Sequence, residues 1–522
     1  MRGERLAQLR CYTVTVNTDA APIPANRASS PQNLTREKLA LSAVIALAML
    51  LYTALLTNGM AALGSDWAMY VMHARNLATG QPYGSTFFVY QPEAATYGAA
   101  TYPTGYSLFL APIYAICGIN IRVFKVLTDL LLALSLGPIY FFLRRYLEFA
   151  ASLLLAGALS FSGPYLLLQD TIGSEALYLL LSFSALVFLT RTYDSQRDRS
   201  APWRSGATAG VLLAAVEITR PVGLALILAV LVYEAVRRRR PTRFAAGILA
   251  VVVPVLALNS LLAHKDASYA EQFVISIPHA VRSLSAYAGG FSYLFTNPLS
   301  NWLRYALWLA CSLLALVGLA TTARKVNPLP ALYAAFTLGV LALYWMPNMR
   351  YLTPLYPIYL LFAALGCAQI VRLAPLRWMR TAQAAAAAGI LLAPALSVAA
   401  ARPSQDTLIT DPHFKKLTEV LRTTSGPRDL TIFWNARVLA LAASRPSSAY
   451  PRLSDEHGRF SPETLLRYFD HVHPAYIVYD ADFAEQEPYV LDAIARAPAR
   501  FAPVYANARF RLFRYNATPA AR

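Results

Sequence analysis

The stretch ALSAVIALAMLLYTALLTNGMAAL, Ala40–Leu63, contains no charged residue, and GSDWAMY, Gly64–Tyr70, places an aspartate almost at once behind it. An apolar run of that length crosses roughly 30 Å of hydrocarbon as a helix. Lipid offers no partner for backbone N–H and C=O groups, so the run has to be helical. Similar runs follow at Val123–Leu143, Ala245–Ala263, Trp302–Thr322 and Pro354–Val371.

Composition agrees with this. The chain is 57% hydrophobic and only 14% charged, whereas a soluble domain is about a quarter charged. The net charge of +18 could suggest nucleic acid, but its placement excludes that class. The basic residues sit in short loops between apolar runs: Arg144-Arg145, Arg237–Arg240 with Arg243, Arg324-Lys325, and Arg372 with Arg377 and Arg380. That is the positive-inside pattern of cytoplasmic loops. Cys117, Cys311 and Cys367 lie in apolar segments and Cys11 in the N-terminal tail. The C-terminal part has no cysteine and folds without disulfides.

The sequence therefore predicts a polytopic α-helical membrane protein with about eleven transmembrane helices, followed by a small soluble α/β domain. Residues 1–39 read as a disordered cytoplasmic tail, 40–401 as the membrane domain with a long outer segment over 64–121, and 402–522 as a periplasmic domain. Phe149–Tyr165 reads as one span, and Thr381–Ala400 as the last, leaving the C-terminus outside. Gly206–Val236 starts and ends at basic loops, so a single crossing would put its ends on opposite sides. Two half-helices broken at Thr219-Arg220-Pro221 satisfy both ends. In the soluble part, strands are expected at Leu430–Trp434 and Ala475–Tyr479, with a hairpin of Phe501–Tyr505 and Phe510–Tyr515. Helices are expected at His413–Arg422 and Ser461–Val472.

The chemistry-bearing residues gather in the outer segments. A helix over 65–78 would put Asp66, Tyr70 and His73 on one face. Tyr102-Pro103-Thr104-Gly105-Tyr106 opens an apolar run to Gly118 that suits a helix at the outer interface. Asp66 could simply cap its helix. Asp170 and Glu175 form a second acidic site, where Glu175 also suits the start of a helix. Arg350, in Asn348-Met349-Arg350-Tyr351-Leu352-Thr353-Pro354, is either a snorkelling anchor or a fixed cation for a phosphate. Arg220, at the break, has no easy route to water and is read as the partner of an acidic neighbour in the bundle.

These elements, in this order, resemble the GT-C superfamily of membrane glycosyltransferases: the first-loop Asp66, Tyr-Pro-x-Gly-Tyr at 102–106, Ser174-Glu175, Thr219-Arg220-Pro221 and Arg350-Tyr351-Leu352-x-Pro354. The branch holding dolichyl-phosphate-mannose protein mannosyltransferases and the bacterial lipid A aminoarabinose transferase looks nearest. The resemblance covers about residues 40–400. It implies transfer of a sugar from a polyprenyl-phosphate carrier to a glycan, lipid or protein acceptor on the extracytoplasmic face. Asp66 would be the general base, with Glu175 or Asp170 as the second acidic residue. Arg350, Lys265 or Arg282 would hold the donor phosphate, and Tyr70, His73, Tyr102 and Tyr106 would contact sugar or acceptor. Two departures stand out. Many relatives pair acidic residues where Asp66 is followed by Trp67, and some carry a lysine where this chain has Pro103-Thr104.

No His/Cys/Asp spacing requires a metal, and Asp470-His471 with His473 reads as polar side chains facing water on a short amphipathic helix. A divalent ion stays open without being indicated, and no other cofactor is implied. The C-terminal domain shows no catalytic constellation and reads as a cap over the outer mouth. A lipid-sugar flippase is the alternative, favoured by the broken half-helices. A non-catalytic scaffold is a third reading, in which Asp66→Asn would change nothing. Short arginine- and alanine-rich loops suggest a bacterial inner membrane, with the N-terminus cytoplasmic and the C-terminus periplasmic.

Overall fold

The structure is a computed structural model. It describes residues 31–61, 65–93, 102–195, 202–239, 242–262, 272–296, 300–322, 327–373, 405–406, 408–451, 461–483 and 487–516. In the membrane part the elements are α1 (Pro31–Ala54), β1 (Met60–Ala61), α2 (Asp66–Ala78), α3 (Thr104–Cys117), α4 (Ile121–Leu143), α5 (Phe149–Ser160), α6 (Gly163–Gln169) and α7 (Glu175–Ser195). These are followed by α8 (Trp203–Thr219), α9 (Leu224–Arg238), α10 (Arg243–Leu262), α11 (Ile277–Gly290), α12 (Asn301–Thr322), α13 (Leu329–Leu343) and α14 (Tyr356–Leu373). Among the described residues, 6 helices are long and apolar enough to cross a membrane, or 7 when α5 and α6 count as one bent span. The chain is thus a multi-pass membrane protein, and among the described residues the count of about eleven spans is not confirmed. Thr381–Ala400 lies outside the described residues.

Burial sorts the spans. α4 and α7 are mostly enclosed, whereas α12 has few fully buried residues and presents leucines such as Leu309, Leu313 and Leu316. Where the surroundings are as apolar as the side chain, exposure carries no cost. The expected break at Arg220 is present. α8 ends at Thr219, Arg220 is extended (φ −150°, ψ 132°), and Pro221–Gly223 forms a 3-10 turn before α9. Proline pushes its predecessor out of the helical region and lacks the N–H that would continue the helix.

Three expectations are corrected. Phe149–Tyr165 is not one straight helix, since the axis bends by 53° between α5 and α6. Pro31–Leu39, expected in the tail, belongs to α1, where Glu37 pairs with Arg144 at 3.2 Å. The first helix stops at Ala54 instead of Leu63, because polar groups capture the chain beyond it. Lys125 Nζ donates to the carbonyls of Thr57 (2.9 Å) and Gly59 (2.6 Å), and Thr57 N donates to Asp170 at 3.1 Å. Buried backbone groups need partners from some source, and here a buried Lys125–Asp170 ion pair supplies them.

The C-terminal domain contains β2 (Gln405–Asp406), α15 (Pro412–Thr424), β3 (Thr431–Ile432), α16 (Ala436–Ala443), β4 (Ser447–Ser448), α17 (Pro462–Val472), β5 (Tyr476–Asp480), α18 (Glu487–Arg496), β6 (Phe501–Ala506) and β7 (Phe510–Tyr515). Five strands form one sheet in the order β4-β3-β5-β7-β6, parallel from β4 to β5 and antiparallel beyond. The predicted hairpin and both predicted helices are present, while α16, β4 and α18 were not anticipated.

Two seams join the domains. β1 pairs antiparallel with β2, and Phe88 bridges Ser447, so the outer segment extends the β4 edge. The bonds there are Val89 N to Ser447 O at 2.9 Å and Ser447 N to Phe87 O at 2.8 Å. α16 then packs on α2.

Candidate active site

Asp66 is the first residue of α2, directly after its cap Ser65. Three donors meet its carboxylate. Oδ1 accepts from the Tyr102 hydroxyl at 2.8 Å and from Arg437 Nη1 at 2.9 Å, and Oδ2 accepts from Arg350 Nη2 at 2.5 Å. Its side chain keeps 23% exposure. Burial alone would push this carboxyl up. The guanidiniums of Arg350 and Arg437, with hydrogen bonds from Arg350 and Tyr102, outweigh burial and hold it at about 2. Burial raises the Tyr102 phenol well above its ordinary value, so Tyr102 is the donor in its bond to Asp66.

Arg350 lies in the 3-10 turn Met349–Leu355, whose first N–H groups are capped by Asn348 Oδ1 accepting from Arg350 N at 3.1 Å. From there the guanidinium reaches both acids: Nε lies 3.6 Å from Glu175 Oε1. Glu175 opens α7, where the helix dipole favours a carboxylate, and its Oε1 also pairs with Arg220 Nη1 at 2.6 Å. Arg220 Nη1 donates to Ser174 Oγ at 3.0 Å, and Ser174 Oγ meets the Tyr70 hydroxyl at 2.9 Å. Both cations lie over the Tyr351 ring, each guanidinium carbon 5.4 Å from its centroid. The ring's π face offsets part of their repulsion. One continuous network thus runs from Tyr70 through Ser174, Arg220, Glu175 and Arg350 to Asp66, Tyr102 and Arg437.

Two glycines permit this approach. A Cβ on Gly105 would lie 2.8 Å from Thr219 Oγ1 and 2.9 Å from the Ile218 carbonyl carbon, so the Gly of Tyr-Pro-x-Gly-Tyr lets α3 meet the end of α8. A Cβ on Gly173 would lie 2.5 Å from Glu175 Oε2.

Of the residues singled out from sequence, Asp66, Glu175, Arg350, Tyr70 and Tyr102 come together. Asp170 does not join them; it is fully buried and paired with Lys125. Close to that pair lies Asp129, also fully buried, neither of whose oxygens has a hydrogen-bond partner among the described residues. His73 turns from the cluster. It is fully buried and stacked on Tyr83, with Nδ1–H donating to Tyr83 O at 2.9 Å and Nε2 accepting from Tyr102 N at 3.3 Å. It holds the Tyr102 backbone and has no face left for a sugar. Burial, helped by the charge of Arg437 and resisted by the Tyr83 bond, lowers its imidazole to about 4. Tyr106 bonds Thr128 Oγ1 at 3.0 Å and supports Tyr70 edge-on at 5.0 Å. Arg282 is exposed on α11 and takes no part in the ion pairs described. Lys265 lies outside the described residues.

Sequence reasoning missed Arg437. It sits in the first turn of α16, 2% exposed, over the rings of Phe88 (5.1 Å) and Tyr102 (5.3 Å). The one local signal is a cation in the first turn of a helix just after a strand, where the dipole disfavours it. Among the described residues, no three His, Cys, Asp or Glu side chains gather as a metal site would need.

Fold and site together define a polytopic membrane protein with a charged cluster where its membrane part meets the C-terminal domain. The architecture is GT-C-like. No protein-family profile matches the chain, and no curated protein matches it. Solved structures do. ArnT from Cupriavidus metallidurans, bound to undecaprenyl phosphate, superposes with a TM-score of 0.53 at 13% identity, covering 92% of this chain and 99% of that one. The Archaeoglobus fulgidus oligosaccharyltransferase, tethered to an acceptor peptide containing the NVT sequon, gives 0.57 at 11% identity over 92% of this chain and 74% of that one. The mycobacterial arabinofuranosyltransferase AftD gives 0.54 at 17% identity over 92% of this chain, which spans 42% of that protein.

Proposed function

We propose that the chain is a membrane glycosyltransferase that moves a sugar from a polyprenyl-phosphate carrier to an acceptor hydroxyl on the extracytoplasmic face. The observation that carries this reading is the bond between Asp66 and Arg350, 2.5 Å across 284 residues of chain. A carboxylate and an arginine brought so close at one pocket are what the reaction asks for. The acceptor O–H bond breaks and its proton passes to Asp66. The acceptor oxygen bonds to the anomeric carbon while the bond from that carbon to the phosphate oxygen breaks. The electron pair leaves with the phosphate, which needs positive charge instead of a proton.

Arg350 supplies that charge in a form suited to phosphate. Arg220, tied to Glu175, holds Glu175 oriented beside it. Charge stabilisation comes from guanidiniums in this reading, without a divalent ion. The exposed apolar helices leave room for a prenyl tail to approach from lipid. The sugar, the acceptor and a bacterial inner-membrane location belong to the same proposal.

The test is a transfer assay on membranes carrying the full chain, with labelled polyprenyl-phosphate sugars. Wild type should transfer label, and Asp66→Asn and Arg350→Ala should each lose most turnover. Full turnover in Asp66→Asn would remove it as the base. Movement of carrier lipid across the membrane without any transfer would favour a flippase, which the break at Arg220 also fits.

A further inference from the structure

We propose that Arg437 of the C-terminal domain is a second ligand of the donor phosphate, and that the phosphate displaces Asp66 from it, so that binding the donor frees the base. This rests on the donor reading above and adds to it a residue from the other domain and an order of events.

The argument starts from where Arg437 stands. A buried cation in the first turn of a helix opposes the helix dipole and costs side-chain freedom. The Arg437 guanidinium crosses to the membrane domain and meets the first turn of α2 at Asp66. Both ends of this bond therefore come from residues in the first turn of a helix, the end at which the dipole is positive. Arg350 arrives at the other oxygen of the same carboxylate. Two guanidiniums sharing one carboxylate, at two helix N-termini, form a place for an anion with more charge and more acceptor oxygens than Asp66 offers. A phosphate is such an anion.

The same contacts explain why Asp66 needs releasing. All three of its hydrogen-bond donors act against protonation, and a carboxylate so held is a weak base. A phosphate taking over Arg350 and Arg437 leaves Asp66 with Tyr102 alone and restores its basicity only when donor is present. Because Arg437 belongs to the roof and Arg350 to the membrane domain, one phosphate held by both would also draw the two domains together.

The experiment measures binding of undecaprenyl phosphate, and of the neutral alcohol undecaprenol, to the purified full-length protein in detergent. The proteins compared are wild type, Arg350→Ala, Arg437→Ala, Asp66→Asn and the double variant Asp66→Asn/Arg437→Ala, with thermal unfolding as the folding control. Arg437→Ala should weaken undecaprenyl phosphate binding by about tenfold and leave undecaprenol binding unchanged. Asp66→Asn should tighten it several-fold, because the competing carboxylate is gone, and the double variant should lose that gain. If Arg437 only docks the roof, any gain in Asp66→Asn comes without it, and a double variant that keeps the full gain would overturn the proposal. Wild-type affinity in Arg437→Ala would overturn it too, while a loss in Arg350→Ala would leave the donor reading standing. Equal wild-type binding of the phosphate and the alcohol would end both.

Discussion

Arg437 Nη1 donates to Asp66 Oδ1 at 2.9 Å across 371 residues of chain, so the charge state of a residue beside the first membrane helix is set partly from the C-terminal domain. The consequence for catalysis is direct. Asp66→Asn keeps shape and hydrogen-bonding capacity but cannot take a proton. Turnover should fall by about 10²–10⁴-fold, with folding retained. Turnover of labelled donor and a thermal melt on the same sample check both halves.

Glu175 and Arg220 form the most enclosed ion pair of the network. Removing one partner from a buried pair strands the other, at about 3–5 kcal/mol. Arg220→Gln and Glu175→Gln should each lower the unfolding temperature markedly. The double variant should lose much less than the two single losses combined. Additive losses would mean that the pair is not coupled.

His73 makes stability depend on pH. Its folded-state value is about 4, whereas in an unfolded chain it is about 6.5. Between these values the unfolded state binds more protons, so stability is full above about pH 6.5 and is lost as pH falls toward 4. At pH 5 the loss is about 2 kcal/mol. His73→Gln should flatten this part of a stability profile recorded between pH 7.5 and 5.

Gly105→Ala adds one methyl where Thr219 and Ile218 leave no space. Overpacking of this kind costs about 1–3 kcal/mol. It should separate α3 from the end of α8 and disturb Arg220. A lower unfolding temperature together with weaker transfer is expected, and an unchanged melt would contradict the close approach.

Much of this molecule could be read locally. The break at Arg220 follows from proline chemistry between two basic loops, and it occurs where expected. The C-terminal hairpin was legible because residues of high β-propensity flank a turn. Asp66, Glu175 and Arg350 could be singled out because charge at the membrane boundary is costly and stands out against apolar runs. Arg437 had no such contrast. Arginine is ordinary in a soluble domain, and its role depends on a partner 371 residues away. His73 misled in the opposite sense: helical periodicity placed it near the face of Asp66 and Tyr70, yet the loop that returns through Tyr83 and Tyr102 took both ring nitrogens.

Local pattern was enough for the membrane class, the positions of most helices and the half-helix break, because hydrophobic length, proline geometry and turn chemistry act over a few residues. Tertiary structure decided where the first helix ends, since Lys125 and Asp170 draw Thr57 and Gly59 out of it. It also decided which of the two candidate second acids faces Arg350, and that the roof contributes an arginine. Each of those outcomes is a pairing of buried charges, and a charge's partner is chosen by distance in space, which local sequence pattern does not encode.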